Sequence, residues 1–338
     1  MTEAADLRNT LIDRFLRKAG WPPAGRAALA EDCSFRRYER ISRPGGKAVL
    51  MDAPPGLEDV RPFLTMAAKL RAGGYSAPEI FATDVENGFL LLEDLGDATY
   101  TKALAAGADE TDLYTLAMDL LGDLHGRPTT ELLAGLPLYD DDLMRRELLV
   151  FIDWYVPAVL PEPLPDHAVT AFLDAWTQPF IACHQVPQHL VLRDYHVDNL
   201  MVLADRPGVA ACGLLDFQDA VIGPVTYDIV SLLQDSRRDV DQTMAAQLIA
   251  DYGHRFPDIA GDQFDRSFKI LGAQRALKVL GIFTRQSRSL GNHQLLAHIP
   301  RIWRYLDSNL QTPQLAPVND WLTAYLPVAN RIQPEILT

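Results

Sequence analysis

Cysteine is scarce in this chain, with only Cys33, Cys183 and Cys212 among 338 residues. An odd number with no paired spacing excludes a disulfide framework and a thiolate zinc site, and fits reduced thiols in a cytoplasmic protein. Positive charge is short too. Lys and Arg number 31 against 45 Asp and Glu, for a formal net charge of −14. Nucleic acid is therefore not an expected partner, since a phosphate backbone is normally met by a basic face. No apolar run approaches the roughly 20 residues of a membrane span. The amino terminus, Met1-Thr2-Glu3-Ala4-Ala5-Asp6-Leu7, lacks a signal peptide's charged start and apolar stretch. The expectation is a cytoplasmic protein without membrane association, and no obligate protein partner is evident.

What is present is an ordinary globular balance, 48% apolar and 22% charged, in a chain long enough for two lobes. Leu7, Leu11, Ile12, Phe15 and Leu16 recur at helical spacing before Gly20. Strands are expected over 35–41, 47–51, 79–83 and 88–92, with a helix over 57–71 between the second and third. After residue 97 helical patterns dominate: 99–106, 110–126, 140–155, 167–184, 224–235, 239–255, 262–289 and 293–310. One short hairpin interrupts them, with strands 201–203 and 213–215 joined through Asp205-Arg206-Pro207-Gly208. A last short helix is expected around Trp321 and Tyr325. The reading is α+β: residues 1–97 form a small β-sheet lobe with its connector, and 98–338 a larger, mainly helical lobe.

The chemistry concentrates in Leu192-Arg193-Asp194-Tyr195-His196-Val197-Asp198-Asn199-Leu200-Met201 and in Leu214-Leu215-Asp216-Phe217. An Asp, an Asn five residues on and a second Asp 22 residues after the first make the polar skeleton of an ATP-dependent phosphotransferase. Asp194 is placed to accept a proton from an attacking hydroxyl. Asn199 offers a neutral oxygen, and Asp216 a carboxylate, to the magnesium that bridges ATP phosphates. A hairpin folds the intervening residues back, so that Asn199 and Asp216 can face one metal site.

On these motifs the chain resembles the aminoglycoside phosphotransferase family, whose bilobal protein-kinase-like fold also serves choline, homoserine and sugar kinases. Four further stretches resemble the bacterial branch that phosphorylates the anomeric hydroxyl of N-acetylmuramate and N-acetylglucosamine in peptidoglycan recycling. They are residues 32–38 (DCSFRRY), 49–55 (VLMDAPP), 89–96 (FLLLEDLG) and 277–283 (LKVLGIF). The resemblance implies Asp194 as catalytic base, Asn199 and Asp216 as magnesium ligands, and ATP and Mg2+ as the cofactors. It makes Glu93, Asp94 and Leu95 the connector whose backbone meets the adenine edge. His196 either touches the transferring phosphate or braces the loop. Asp228, in the turn Gly223-Pro224-Val225-Thr226-Tyr227-Asp228, is expected to brace the catalytic loop.

The chain also departs from the protein-kinase pattern. No glycine-rich loop covers the phosphates; Ser34, Phe35, Arg36 and Arg37 occupy that turn, with two guanidinium forks suited to phosphate. Met51 stands where a strand lysine is usual, and Lys47 lies too near the Gly45-Gly46 turn to replace it. Arg36 or Arg37 is expected to compensate. For the acceptor, Glu147, Trp154 and Tyr155 offer carboxylate and aromatic surfaces to a sugar, and Arg285 a cation for an acceptor carboxylate. The alternatives are a kinase of an aminoglycoside, choline or homoserine, and a nucleotide-binding pseudokinase scaffold.

Overall fold

In the computed structural model, residues 3–29, 36–259 and 261–336 are described. Among them the strands run in chain order as β1 (Ala27–Ala28), β2 (Arg37–Arg43), β3 (Gly46–Asp52), β4 (Ile80–Asp84), β5 (Phe89–Glu93), β6 (Gln188–Val191), β7 (Leu200–Val202), β8 (Cys212–Leu214) and β9 (Val221–Pro224). No described helix is long and apolar enough to cross a membrane.

The chain divides into two compact units, one of residues 1–108 and 198–219, the other of 109–197 and 220–338. The first carries an antiparallel sheet of order β1-β2-β3-β5-β4. Alternation fixes its register. Ala48 and Leu50 of β3 and Phe89 and Leu91 of β5 share a core with Ile41 and with Ile12, Phe15 and Leu16, which line one stripe of the helix Glu3–Lys18. Gly88, at φ +71°, makes the turn into β5, where an added Cβ would lie 1.8 Å from the Ala53 carbonyl oxygen. The helix expected from residue 57 begins only at Arg61. Pro62 suits a first turn, and the Asp59 carboxylate accepts from the Arg61 amide at 3.0 Å.

The β7–β8 hairpin belongs to this first unit, although the lobe boundary expected at residue 97 would assign it to the helical part. Local bonds explain the placement. The Leu214 amide donates to the Ser76 carbonyl at 2.9 Å, the Val202 amide to Ala98 at 2.8 Å, and the Ser76 hydroxyl to Ala210 at 2.6 Å. Phe217 packs on Phe63 with ring centroids 4.9 Å apart.

The second unit is helical around the long helix Asp262–Leu290, whose middle is buried almost all round. Gly281 lets it approach the helix Asp141–Val150, since a Cβ there would sit 2.4 Å from the Val150 carbonyl. The single helix expected over 140–155 instead ends at Val150 and passes into a π-helical turn, Phe151–Tyr155. A two-stranded sheet of β6 and β9 was not expected from the sequence; it pairs His189 with Gly223 and Val191 with Val221.

Candidate active site

In the second unit, β6 delivers the chain into Leu192–Val197, and the helix Thr226–Leu233, buried at every position, underlies that loop. Asp228 accepts the Leu192 amide at 2.6 Å and the Arg193 amide at 2.9 Å. Burial pushes the Asp228 carboxyl up to about 7, against the pull of those two amides. The Ser231 hydroxyl donates to the Arg193 carbonyl at 3.3 Å, and the Asp194 amide to Leu192 at 2.9 Å. Tyr195 is anchored through its hydroxyl to the Ala117 carbonyl at 2.8 Å. Asp194 itself stays half-buried at the head of this fixed turn.

His196 is buried, and burial, reinforced by Arg237 and Arg275, holds its pKa well below the usual imidazole value. A neutral, enclosed ring favours the bracing role over a charged contact with phosphate.

In the first unit, Asn199 precedes β7 and Asp216 follows β8, with the Leu215 amide bonded to the Asn199 carbonyl at 2.9 Å. The Asn199 side-chain amide lies 3.5 Å from the Asp216 carboxylate. Arg36 reaches the same carboxylate at 3.3 Å and Gln218 at 2.7 Å. Asp216 thus gathers N–H donors, one of them cationic, around oxygens that would suit a hard divalent ion, and a rotated Asn199 amide would add a further oxygen. Among the described residues no group of three or more His, Cys, Asp or Glu could hold a metal. A cation here would draw its remaining ligands from phosphate oxygens and water. The residues fit magnesium held together with a nucleotide.

Only two non-glycine residues among those described have a left-handed backbone, Arg193 at φ +71° and Asp216 at φ +56°. Both lie in the motif segments. Such conformations persist where surrounding bonds hold them, and they cluster at working sites.

Of the expected nucleotide residues, Ser34 and Phe35 lie outside the described residues. Arg36 turns inward to Asp216, while Arg37 is exposed. Met51 is buried in β3 and Lys47 is exposed at its start. Past β5 the connector is held by Arg40, whose guanidinium meets Asp94 at 2.7 Å and Asp97 at 2.9 Å. That clamp was not foreseen, although Arg40 alternates outward along a strand beside an acidic run. The Glu93 side chain pairs with Arg206 at 2.5 Å. Asp94 and Leu95 make none of the backbone–backbone bonds among the described residues, which leaves peptide donors and acceptors for a heterocycle edge.

The four expected acceptor residues do not share one surface. Tyr155 is buried, donating to the Ile332 carbonyl at 2.7 Å and accepting from the Trp303 indole at 2.8 Å. Trp154 is half-buried and Arg285 exposed. Glu147 is buried and bonded to Arg193, to Lys278 at 2.8 Å, to Tyr139 at 2.6 Å and to Gln274 at 2.9 Å. The reason sequence misread Glu147 and Tyr155 is that their partners lie up to 177 positions away.

Burial opposes the Glu147 charge, but Lys278 and Arg193 outweigh it and pull the carboxyl down to about 2 from 4.5. The folded value lies below the unfolded one, so this stabilisation is complete above about pH 4.5 and is lost as pH falls toward 2. A displacement of that size corresponds to about 3 kcal/mol. Urea titrations of wild type and Glu147→Gln should therefore show a stability gap that is wide at pH 6 and narrows steadily below pH 4.5. A gap independent of pH would contradict the charge pairing.

The model of the phosphotransferase enzyme family matches residues 26–265. The N-acetylmuramate/N-acetylglucosamine kinase of Pseudomonas aeruginosa is 38% identical over 90% of each chain. The kinase of the same name from Caulobacter vibrioides is 32% identical over 94% of this chain and 96% of its own. Among solved structures, the GDP complex of wild-type aminoglycoside 2'-phosphotransferase-IIIa superposes with a TM-score of 0.61 at 18% identity, covering 89% of this chain and 97% of that one.

Proposed function

Because the chain belongs to the phosphotransferase enzyme family, we propose that it transfers the γ-phosphate of ATP to the anomeric hydroxyl of N-acetylmuramate or N-acetylglucosamine, giving the 1-phosphate. The observation that carries the acceptor is the similarity, over nine-tenths of both chains, to kinases named for those two sugars.

Asp194 accepts the proton of the anomeric hydroxyl as its oxygen attacks the γ-phosphorus and ADP departs. That hydroxyl is more acidic than an ordinary alcohol, so a carboxylate is a competent base for it. Asn199 and Asp216 hold magnesium, which when bound neutralises charge on the phosphate oxygens. Arg36 takes over the phosphate-facing work of the missing strand lysine, and its planar fork suits that task. The Asp94–Leu95 backbone receives the adenine edge. A cytoplasmic setting supplies both ATP and the free sugars, and fits a role in peptidoglycan recycling.

The test is a magnesium-dependent ADP-release assay across N-acetylmuramate, N-acetylglucosamine, aminoglycosides, choline and homoserine, with phosphorus NMR of the product. Turnover is expected with the two N-acetylated sugars, with phosphorus coupled to the anomeric proton. Phosphate on the 6-hydroxyl, or turnover confined to cationic acceptors, would sink the proposal.

A further inference from the structure

The Glu147 cluster lies next to the catalytic loop, and its geometry indicates why residue 193 is an arginine. We propose that Glu147 is a positioning residue for phosphoryl transfer: acting through the Arg193 guanidinium, it holds the peptide that carries Asp194 in its left-handed turn. The inference rests on the catalytic-loop reading above and extends it to residues that touch neither nucleotide nor sugar.

Arg193 is restrained through both its backbone and its side chain. Its amide donates to Asp228 at 2.9 Å and its carbonyl accepts from Ser231 at 3.3 Å. Those two bonds use backbone atoms and would hold almost any residue. The bond from the guanidinium to Glu147 Oε1 uses the side chain. It bears on a residue at φ +71°, a conformation that a side-chain-bearing residue keeps only when its surroundings hold it.

Glu147 is an unusually firm anchor. Oε1 receives Arg193 and the Lys278 ammonium, the latter at 2.8 Å; Oε2 receives the Tyr139 hydroxyl at 2.6 Å and the Gln274 amide at 2.9 Å. An ionised carboxylate has about four acceptor directions, and all are in use. None is left for a sugar hydroxyl, which removes the acceptor-contact role expected from sequence. Lys278 and Gln274 stand one turn apart on the helix Asp262–Leu290, so the anchor is tied to the central element of its unit. A buried cation, Lys278, and a half-buried one, Arg193, face Glu147, and both also feel the Asp194 charge.

Full-length Glu147→Gln, Arg193→Met, Arg193→Lys and the double variant Glu147→Gln/Arg193→Met should be compared for kcat and for both KM values. Leu322→Ala, at a fully buried position among the helices of the same unit, serves as a control whose Tm also falls. Expected are kcat losses of about 30- to 100-fold in Glu147→Gln and Arg193→Met, with both KM values within about threefold. The double variant should lose no more than the worse single one, Arg193→Lys should recover part of the loss, and Leu322→Ala should keep its kcat. Multiplying losses in the double variant, a change confined to the sugar KM, or kcat falling equally in Leu322→Ala would overturn the proposal. If Glu147→Gln does not fold, the two Arg193 variants carry the comparison. If wild type phosphorylates neither sugar, the functional reading fails instead. Amide exchange then still decides the positioning role: Glu147→Gln or Arg193→Met must speed exchange at Asp194 and Tyr195, and Leu322→Ala must not.

Discussion

Replacing Asp194 with Asn should lower kcat by about 10²- to 10⁴-fold while leaving the affinity for ATP within about threefold of wild type. The two side chains have nearly the same shape, so the effect isolates loss of a proton acceptor. The loop should survive the change, because bonds to its backbone hold it and an Asn keeps the shape of the side chain. Asp228 holds the amides of Leu192 and Arg193, and the Asp194 amide itself is bonded to Leu192. Phosphoryl transfer through a loose transition state makes modest demands on the base, so the lower half of that range is the more natural outcome for an acidic hydroxyl. Coupled ADP release gives kcat, and nucleotide titration gives the affinity. Wild-type turnover in this variant would remove Asp194 from the role of base.

What sequence disclosed and what it hid divide along contact range. The β7–β8 hairpin was legible because its turn, Asp205-Arg206-Pro207-Gly208, and both its short strands lie within 15 residues. The fold class followed from local periodicity and from the motif in the same way. The β6–β9 sheet was not legible, because its strands lie some 30 residues apart and β9 contains Gly223 and Pro224, residues poor in strand signal. Which of Arg36 and Arg37 turns inward depends on Asp216, 180 positions from Arg36. Glu147 misled for the same reason: a carboxylate near aromatics resembles a sugar contact until Arg193 and Lys278, 46 and 131 positions away, arrive beside it. The motif named the chemistry; tertiary contacts decided which neighbours support it.

Asp216→Asn should leave the fold intact and raise the magnesium concentration needed for half-maximal rate by about tenfold or more, with kcat/KM for ATP down by roughly 10³-fold. Asparagine is the informative replacement because position 216 sits at φ +56°. Asn and Asp tolerate the left-handed region better than other side-chain-bearing residues, so the turn after β8 is not newly strained. An alanine there would confuse backbone cost with lost ligation. The substitution keeps an oxygen near Asn199 and Gln218 but removes the charge that now draws Arg36 to 3.3 Å. Titrating magnesium at fixed ATP separates this residue from the base. Asp194→Asn should lose turnover at an unchanged magnesium requirement, whereas Asp216→Asn should shift the requirement itself. If both variants showed the same magnesium dependence as wild type, Asp216 would not be a metal ligand, and the Arg36–Asp216 pair would be a structural bond of the hairpin unit.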